Sequence, residues 1–297
     1  MHLLAAQPGM VTDGSEAVDL GQQPGDVVIL SAAESELACL AGAQTRLVDA
    51  FGDDVPSLRL ASLLQLGHNM SVDLYVDDVL CDAKFIIVRI LGGRGYWDYG
   101  IEQLVSLARS KDIPLVLLPG DDQPDAELLS LSTLKGAEYQ KIWRYLIEGG
   151  PKNSENLLRL IYEKLNEQVN WNWAPAAPLV KAGGYWPGKS QAGLDEVRGN
   201  WVENQPVTPI IFYRSLVQAA NLDVIDALVE ELVSNKLNPL PIFVASLKDP
   251  FASALVSDWL AETKADLILN TTGFALSVPG SERLDGPFDV VDAPVFQ

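Results

Sequence analysis

The chain is poor in the residues from which self-sufficient active sites are usually built. Its 297 residues include two histidines, His2 and His68, and two cysteines, Cys39 and Cys81. Two histidines so far apart give no His-rich metal site and no His-based triad. The cysteines lie in apolar segments without metal-ligand spacing and read as buried free thiols, not as a disulfide. Cations are also scarce, 21 Lys and Arg against 40 Asp and Glu, for a net charge of −19. Such a surface excludes nucleic acid and anionic membranes as natural partners. No run approaches the ~18 apolar residues of a membrane span, so no membrane insertion is expected. The opening Met-His-Leu-Leu-Ala-Ala-Gln-Pro lacks the basic region of a signal peptide and reads as a first strand. A cytoplasmic protein is expected.

What the chain does have is a series of short apolar runs alternating with helical periodicity. The most informative stretch is 84–104. A continuous run, Phe85 to Val88, suits a strand covered on both faces, as in a parallel sheet. A glycine-rich turn follows at Gly92-Gly93-Arg94-Gly95, then Tyr96, Trp97 and Tyr99. A helix comes next, with Ile101, Leu104, Val105 and Ala108 on one face. Ligands of doubly wound sheets sit beyond the carboxyl ends of the strands, where this turn belongs. The dinucleotide fingerprint fails here, because its third glycine position is Asp98.

Further strands are expected at 2–6, 26–31, 58–61, 113–118, 210–213, 240–245 and 266–270. Helices are expected at 33–51, after Ser71 as N-cap, at 221–235 and at 249–263. The alternation predicts an α/β fold of two doubly wound parallel-sheet lobes, flavodoxin- or Rossmann-like. The first lobe spans 1–124, a helical segment 125–168, an irregular connection rich in Trp, Pro and Gly 169–206, and the second lobe 207–275. Residues 276–297 begin a further region, ending on an apolar segment that reads as a strand with its continuation missing. Inside the connection, 183–190 satisfies G-x-x-x-x-G-K-S. No convincing strand precedes it, no helix starts at Lys189, and Pro187 removes an amide from any phosphate cradle, so ATP binding is not expected.

Candidate binding residues are those at predicted strand ends. They are Arg94, Tyr96, Trp97, Tyr99, Asp121 and Asp122 in the first lobe, and Tyr213, Arg214, Asn270 and Thr271 in the second. Arginine offers a fork for carboxylates and the rings offer apolar faces. Pro119-Gly120-Asp121-Asp122 is equally a solvated turn, and the aromatics equally pack the sheet edge. No catalytic base and no metal ligand stands out.

Several segments, in fixed order, resemble the opening region of the large subunit of cobaltochelatase, the CobN family, related to the large subunit of magnesium chelatase. They are VRILGGRGYWDYGIEQL, LVLLPGDDQPDAELLSLSTL and YLIEGGPKNSENLLRLI, with SVDLYVDDVL upstream and FYRSLVQAANLDVIDALVEEL and DAPVFQ downstream. The resemblance covers essentially the whole chain, and family members are several times longer. It implies the N-terminal head of an ATP-dependent enzyme that inserts Co(II) into hydrogenobyrinic acid a,c-diamide in aerobic cobalamin synthesis. It further implies that ATP, Mg2+ and Co2+ are used by the parent complex, with AAA+ ATPase and adaptor subunits as partners. The corrin-ring substrate would meet the full-length protein, and the fragment alone would be inactive. The alternatives are a magnesium chelatase large subunit acting on protoporphyrin IX and a stand-alone two-lobed protein that binds a small molecule.

Overall fold

The computed structural model describes residues 16–166, 168–273 and 286–297. It forms two compact units that meet in sequence between Ala177 and Pro178.

The first unit begins with strand β1 (Val27–Ser31), helix α1 (Glu34–Phe51), β2 (Leu58–Ser62), α2 (Asn69–Asp78) and β3 (Phe85–Ile90). It continues with α3 (Asp98–Lys111), β4 (Leu115–Pro119), α4 (Ala126–Leu131), α5 (Gly136–Glu148) and α6 (Pro151–Leu165). The strands pair in parallel in the order β2-β1-β3-β4. The apolar runs are continuous because both faces are covered. Val28, Leu30, Ile86, Val88 and Leu117 pack against Val72 and Tyr75 of α2 and Ile101, Leu104 and Ala108 of α3. Val27, Ile29, Phe85, Ile87 and Val116 pack the other way, against Leu40 and Leu47 of α1 and the inner faces of α5 and α6. Each such side chain contributes ~1.5–3 kcal/mol on burial. Helices α5 and α6 therefore join α1 in the layer over this second face, while Leu128 of α4 packs into the first. The predicted strand at 2–6 lies outside the described residues.

Helix α2 starts earlier than the sequence reading placed it. Its N-cap is His68, whose Nδ1 accepts from the Met70 amide at 3.1 Å. Ser71 is buried within the helix, and its hydroxyl accepts from the Val18 amide at 2.7 Å.

The second unit contains β5 (Ala182–Trp186), β6 (Lys189–Ala192), α7 (Leu194–Arg198), β7 (Val207–Tyr213) and α8 (Arg214–Ala219). After these come α9 (Asp223–Ser234), β8 (Asn238–Val244), α10 (Pro250–Thr263), β9 (Ile268–Asn270) and β10 (Val295–Phe296). The strand order is β10-β9-β7-β8-β5-β6. Strands β7 to β10 are parallel, but β5 runs antiparallel to β8 and to β6. The sheet is thus mixed, not purely parallel, and the stretch expected to be irregular supplies two of its strands and a helix. Pro239 and Pro241 sit in β8 without breaking it. That half of the strand pairs only with β7, while β5 reaches β8 only from Ile242 to Val244, so the missing amides leave no gap on a second neighbour. Among the described residues no helix is long and apolar enough to cross a membrane.

Candidate functional site

In the first unit the chain passes from β1 outward to β2, then back across to β3 on the other side of β1. The switch point therefore lies between the carboxyl ends of β1 and β3. Gly92 and Gly93 leave β3 with φ of 94° and 73°, values that glycine adopts without strain. The turn delivers Arg94, but its guanidinium is already taken by carboxylates: Asp98 at 2.5 Å, Glu102 at 3.1 Å and Glu127 at 3.4 Å. The hydrogen bond and charge of Asp98, followed by those of Glu127, raise its pKa further. The free fork expected for a ligand carboxylate is occupied from within.

The aromatics divide. Trp97 is buried in the core against α3 and donates its indole N–H to the Leu66 carbonyl at 2.8 Å. Tyr99 is half-buried and ties α3 to α2 through a 2.6 Å hydrogen bond to Asp73. Tyr96 is 49% exposed and lies over Gly92. Asp121 and Asp122 are exposed in the turn after β4, where both accept from Gln123, through its amide N–H and its side-chain amide respectively. Trp97 and Tyr99 thus make packing and inter-helix contacts, and the aspartates lie in a turn.

One charged group at this edge escaped the sequence reading. Arg89 lies in β3 in register with Ser31 of β1 and is buried. Its guanidinium donates to the carbonyls of Leu146 at 3.0 Å, Gly120 at 3.1 Å and Pro119 at 3.4 Å, and pairs with Glu36 of α1. Burial pushes its pKa down to about 10, with Asp121 opposing the shift. The signal was present in the sequence, as a single cation inside an otherwise apolar strand.

The second unit has its own switch point, between β7 and β9, because the chain goes from β7 to β8 and then returns to the other side. Two of the four residues predicted here, Asn270 and Thr271, meet β7 at Ile211. Asn270 pairs with Ile211, and the Thr271 amide and hydroxyl donate to the Ile211 carbonyl at 2.9 and 3.0 Å, two residues before Tyr213. Asn270 also accepts from the Thr272 hydroxyl at 2.7 Å. Arg214 turns instead to the backbone, donating to Val180 at 3.0 Å and Leu179 at 2.8 Å. The segment 183–190 is the β5–β6 hairpin, with Gly188 at φ 83° in its turn and Lys189 paired to Glu196. A strand hairpin in that place presents no amide cradle to a phosphate.

Cys39 and Cys81 are free thiols, and burial raises the pKa of Cys39. Among the described residues no group of three or more His, Cys, Asp or Glu side chains could hold a metal ion.

Comparison with known proteins gives this scaffold its context. The family model for CobN/Magnesium Chelatase matches residues 143–297, just over half of the chain. The chain belongs to the CobN/magnesium chelatase family. Its similarity to individual CobN proteins extends further. It is 42% identical to the aerobic cobaltochelatase subunit CobN of Pseudomonas aeruginosa and 40% identical to that of a Sinorhizobium species, in both cases over the whole chain. The chain spans 23% of the length of each of these relatives. Its fold matches the catalytic subunit of cobaltochelatase from Mycobacterium tuberculosis with a TM-score of 0.56 at 21% identity, over 83% of this chain and 18% of that one.

Proposed function

We propose that this chain is the N-terminal head of the large subunit of an aerobic cobaltochelatase, which inserts Co(II) into hydrogenobyrinic acid a,c-diamide in the cytoplasm. The observation that carries the reading is identity of 40–42% with two CobN subunits, sustained from one end of the chain to the other. Whole-chain likeness to cobaltochelatase subunits favours cobalt and a corrin ring over magnesium and protoporphyrin IX. ATP hydrolysis belongs to AAA+ partner subunits under this reading, and the base and the metal-delivering ligand belong to other parts of the large subunit. The head then acts as a scaffold. Its edge side chains support that role, since Arg94, Trp97 and Tyr99 spend their polar groups on neighbouring residues.

The test is a chimera in which this chain replaces the matching part of the Pseudomonas aeruginosa subunit. It is assayed with its partner subunits and ATP for Co(II) insertion into the corrin diamide and, in parallel, for Mg(II) insertion into protoporphyrin IX. Retained cobalt insertion supports the reading. A folded chimera that inserts magnesium and not cobalt overturns it.

A further inference from the structure

Both margins of the first sheet are closed, but in different ways. The Ile86 amide donates to the Pro114 carbonyl, so β4 turns the backbone of Leu115 and Leu117 outward. Thr133 meets Leu115 there: its amide donates to the Leu115 carbonyl at 2.8 Å and its hydroxyl accepts from the Leu115 amide at 2.7 Å. At Leu117 the Ser132 hydroxyl accepts from the amide and the Tyr139 hydroxyl donates to the carbonyl, both at 2.9 Å.

On the opposite margin the Val27 amide donates to the Ser57 carbonyl at 2.9 Å, so β2 turns the backbone of Leu58 and Leu60 outward. Side chains cover both of these carbonyls. Nη1 of Arg59 donates to Leu58 at 3.0 Å, and Nε2 of Gln22 donates to Leu60 at 2.9 Å. Gln22 belongs to a strap, residues 18–24, along this margin. Arg59 holds the strap as well, donating through Nε to the Gln23 carbonyl at 2.6 Å and through Nη2 to the Pro24 carbonyl at 2.9 Å. The Tyr75 hydroxyl donates to Oε1 of Gln22 at 2.8 Å, the Val18 amide is held by Ser71, and Leu20 packs on the core. Among the described residues no backbone-to-backbone hydrogen bond joins 18–24 to β2, so the strap is not a fifth strand. A Cβ on Gly25 would stand 2.7 Å from Cγ of Arg59, and glycine there leaves room for the arginine stem.

An open strand edge is a template for pairing with another chain, and covering it or placing a charge on it blocks that pairing. We propose that the strap and Arg59 form an edge guard, which keeps β2 from pairing with β2 of a second copy of this chain. Two copies of one edge strand pair antiparallel about a two-fold axis, and the outward carbonyls of Leu58 and Leu60 would then meet amides of the other copy. Each hydrogen bond that holds the strap passes through a side chain, so substitutions open the edge without touching the ladder between β1 and β2. The proposal does not depend on the chemistry assigned to the parent enzyme.

The test combines Gln22→Ala with Arg59→Met in the full chain and follows sedimentation velocity across a concentration series. The double variant is expected to self-associate about tenfold more tightly than the unaltered chain. In the associated form, hydrogen exchange at the Leu58 and Leu60 amides should slow. Gly25→Ala, which displaces the Arg59 stem alone, should move association in the same direction by a smaller factor. Gly100→Ala on α3 controls for general destabilisation and should sediment as the unaltered chain does. Thermal melting confirms the fold of each variant, and Gly25→Ala alone decides if the double variant does not fold. Unchanged association overturns the proposal. So does association that leaves the β2 amides unprotected, or that Gly100→Ala reproduces.

Discussion

Trp97 and Gly100 fit so closely that a Cβ on residue 100 would stand 2.1 Å from Cε2 of the indole. The ring lies on the first turn of α3, and glycine is the residue that leaves room for it. Neither substitution at this pair is independent of the other. Gly100→Ala should cost ~1–3 kcal/mol by overpacking, and Trp97→Ala ~3–5 kcal/mol by leaving a cavity. In the Trp97→Ala background, Gly100→Ala should instead gain up to about 1 kcal/mol of helix propensity. Urea denaturation of the double-mutant cycle measures the coupling. Additive costs would mean that the ring does not need the glycine.

The buried cation of β3 gives a second prediction. Arg89→Ala leaves the carboxylate of Glu36 without its partner and deprives three carbonyls of a donor. A loss of ~3–5 kcal/mol is expected by chemical denaturation. Replacing both partners, Arg89→Met with Glu36→Leu, should recover more than half of it, because the desolvation cost goes with the charges.

Asp26 predicts an acid limb to the stability curve. Burial raises its pKa, but hydrogen bonds from Lys84 and Ser57 outweigh it and bring the carboxyl down from 3.8 to about 2. A group depressed on folding stabilises the protein above its unfolded pKa and loses that contribution as the pH falls through its folded value. Asp26→Asn should therefore lower stability at pH 7 by about 1 kcal/mol after allowance for solvent screening. The deficit should shrink between about pH 4 and pH 2, and melting curves across that window check it. A constant deficit would point to lost hydrogen bonds alone.

Lys189 separates the hairpin from a nucleotide loop. Its exposed pair with Glu196 is worth at most about 1 kcal/mol. Lys189→Ala should change stability by no more than that, and calorimetric titration of ATP should give no binding to either form. ATP binding lost in the variant would restore the phosphate-loop reading.

The strands of both sheets were legible because full burial on two faces leaves an unbroken apolar run, as in Phe85–Val88 and Ile210–Phe212. Strands β5 and β6 were not. Gly183, Gly184, Lys189 and Ser190 have little strand preference of their own; β6 pairs only with β5, and β5 is tied to the sheet by β8, some sixty residues later. The α2 start was misplaced because Ser71 and His68 can both cap, and only the fold commits the Ser71 hydroxyl to Val18. At the candidate edges, position was readable and availability was not. Arg94 sits where predicted, yet Asp98 and Glu102, four and eight residues on, already signalled its occupation along α3.

The late arrival of β8 sets an order of events during synthesis. Ala182 finds its partner only when Val244 has been made, 62 residues later. At ~5–20 residues per second, that interval is about 3–12 s. For those seconds the glycine-rich hairpin stands with one edge open, and Gly183 and Gly184 are weak templates for stray pairing because they offer no side chain to grip a wrong partner. The same two glycines later admit Phe243 and Trp259 close against the backbone, at 3.2 Å from where a Cβ would be. A nascent chain stalled before β8 should thus be cut by protease in the hairpin, and one released beyond β9 should be protected there.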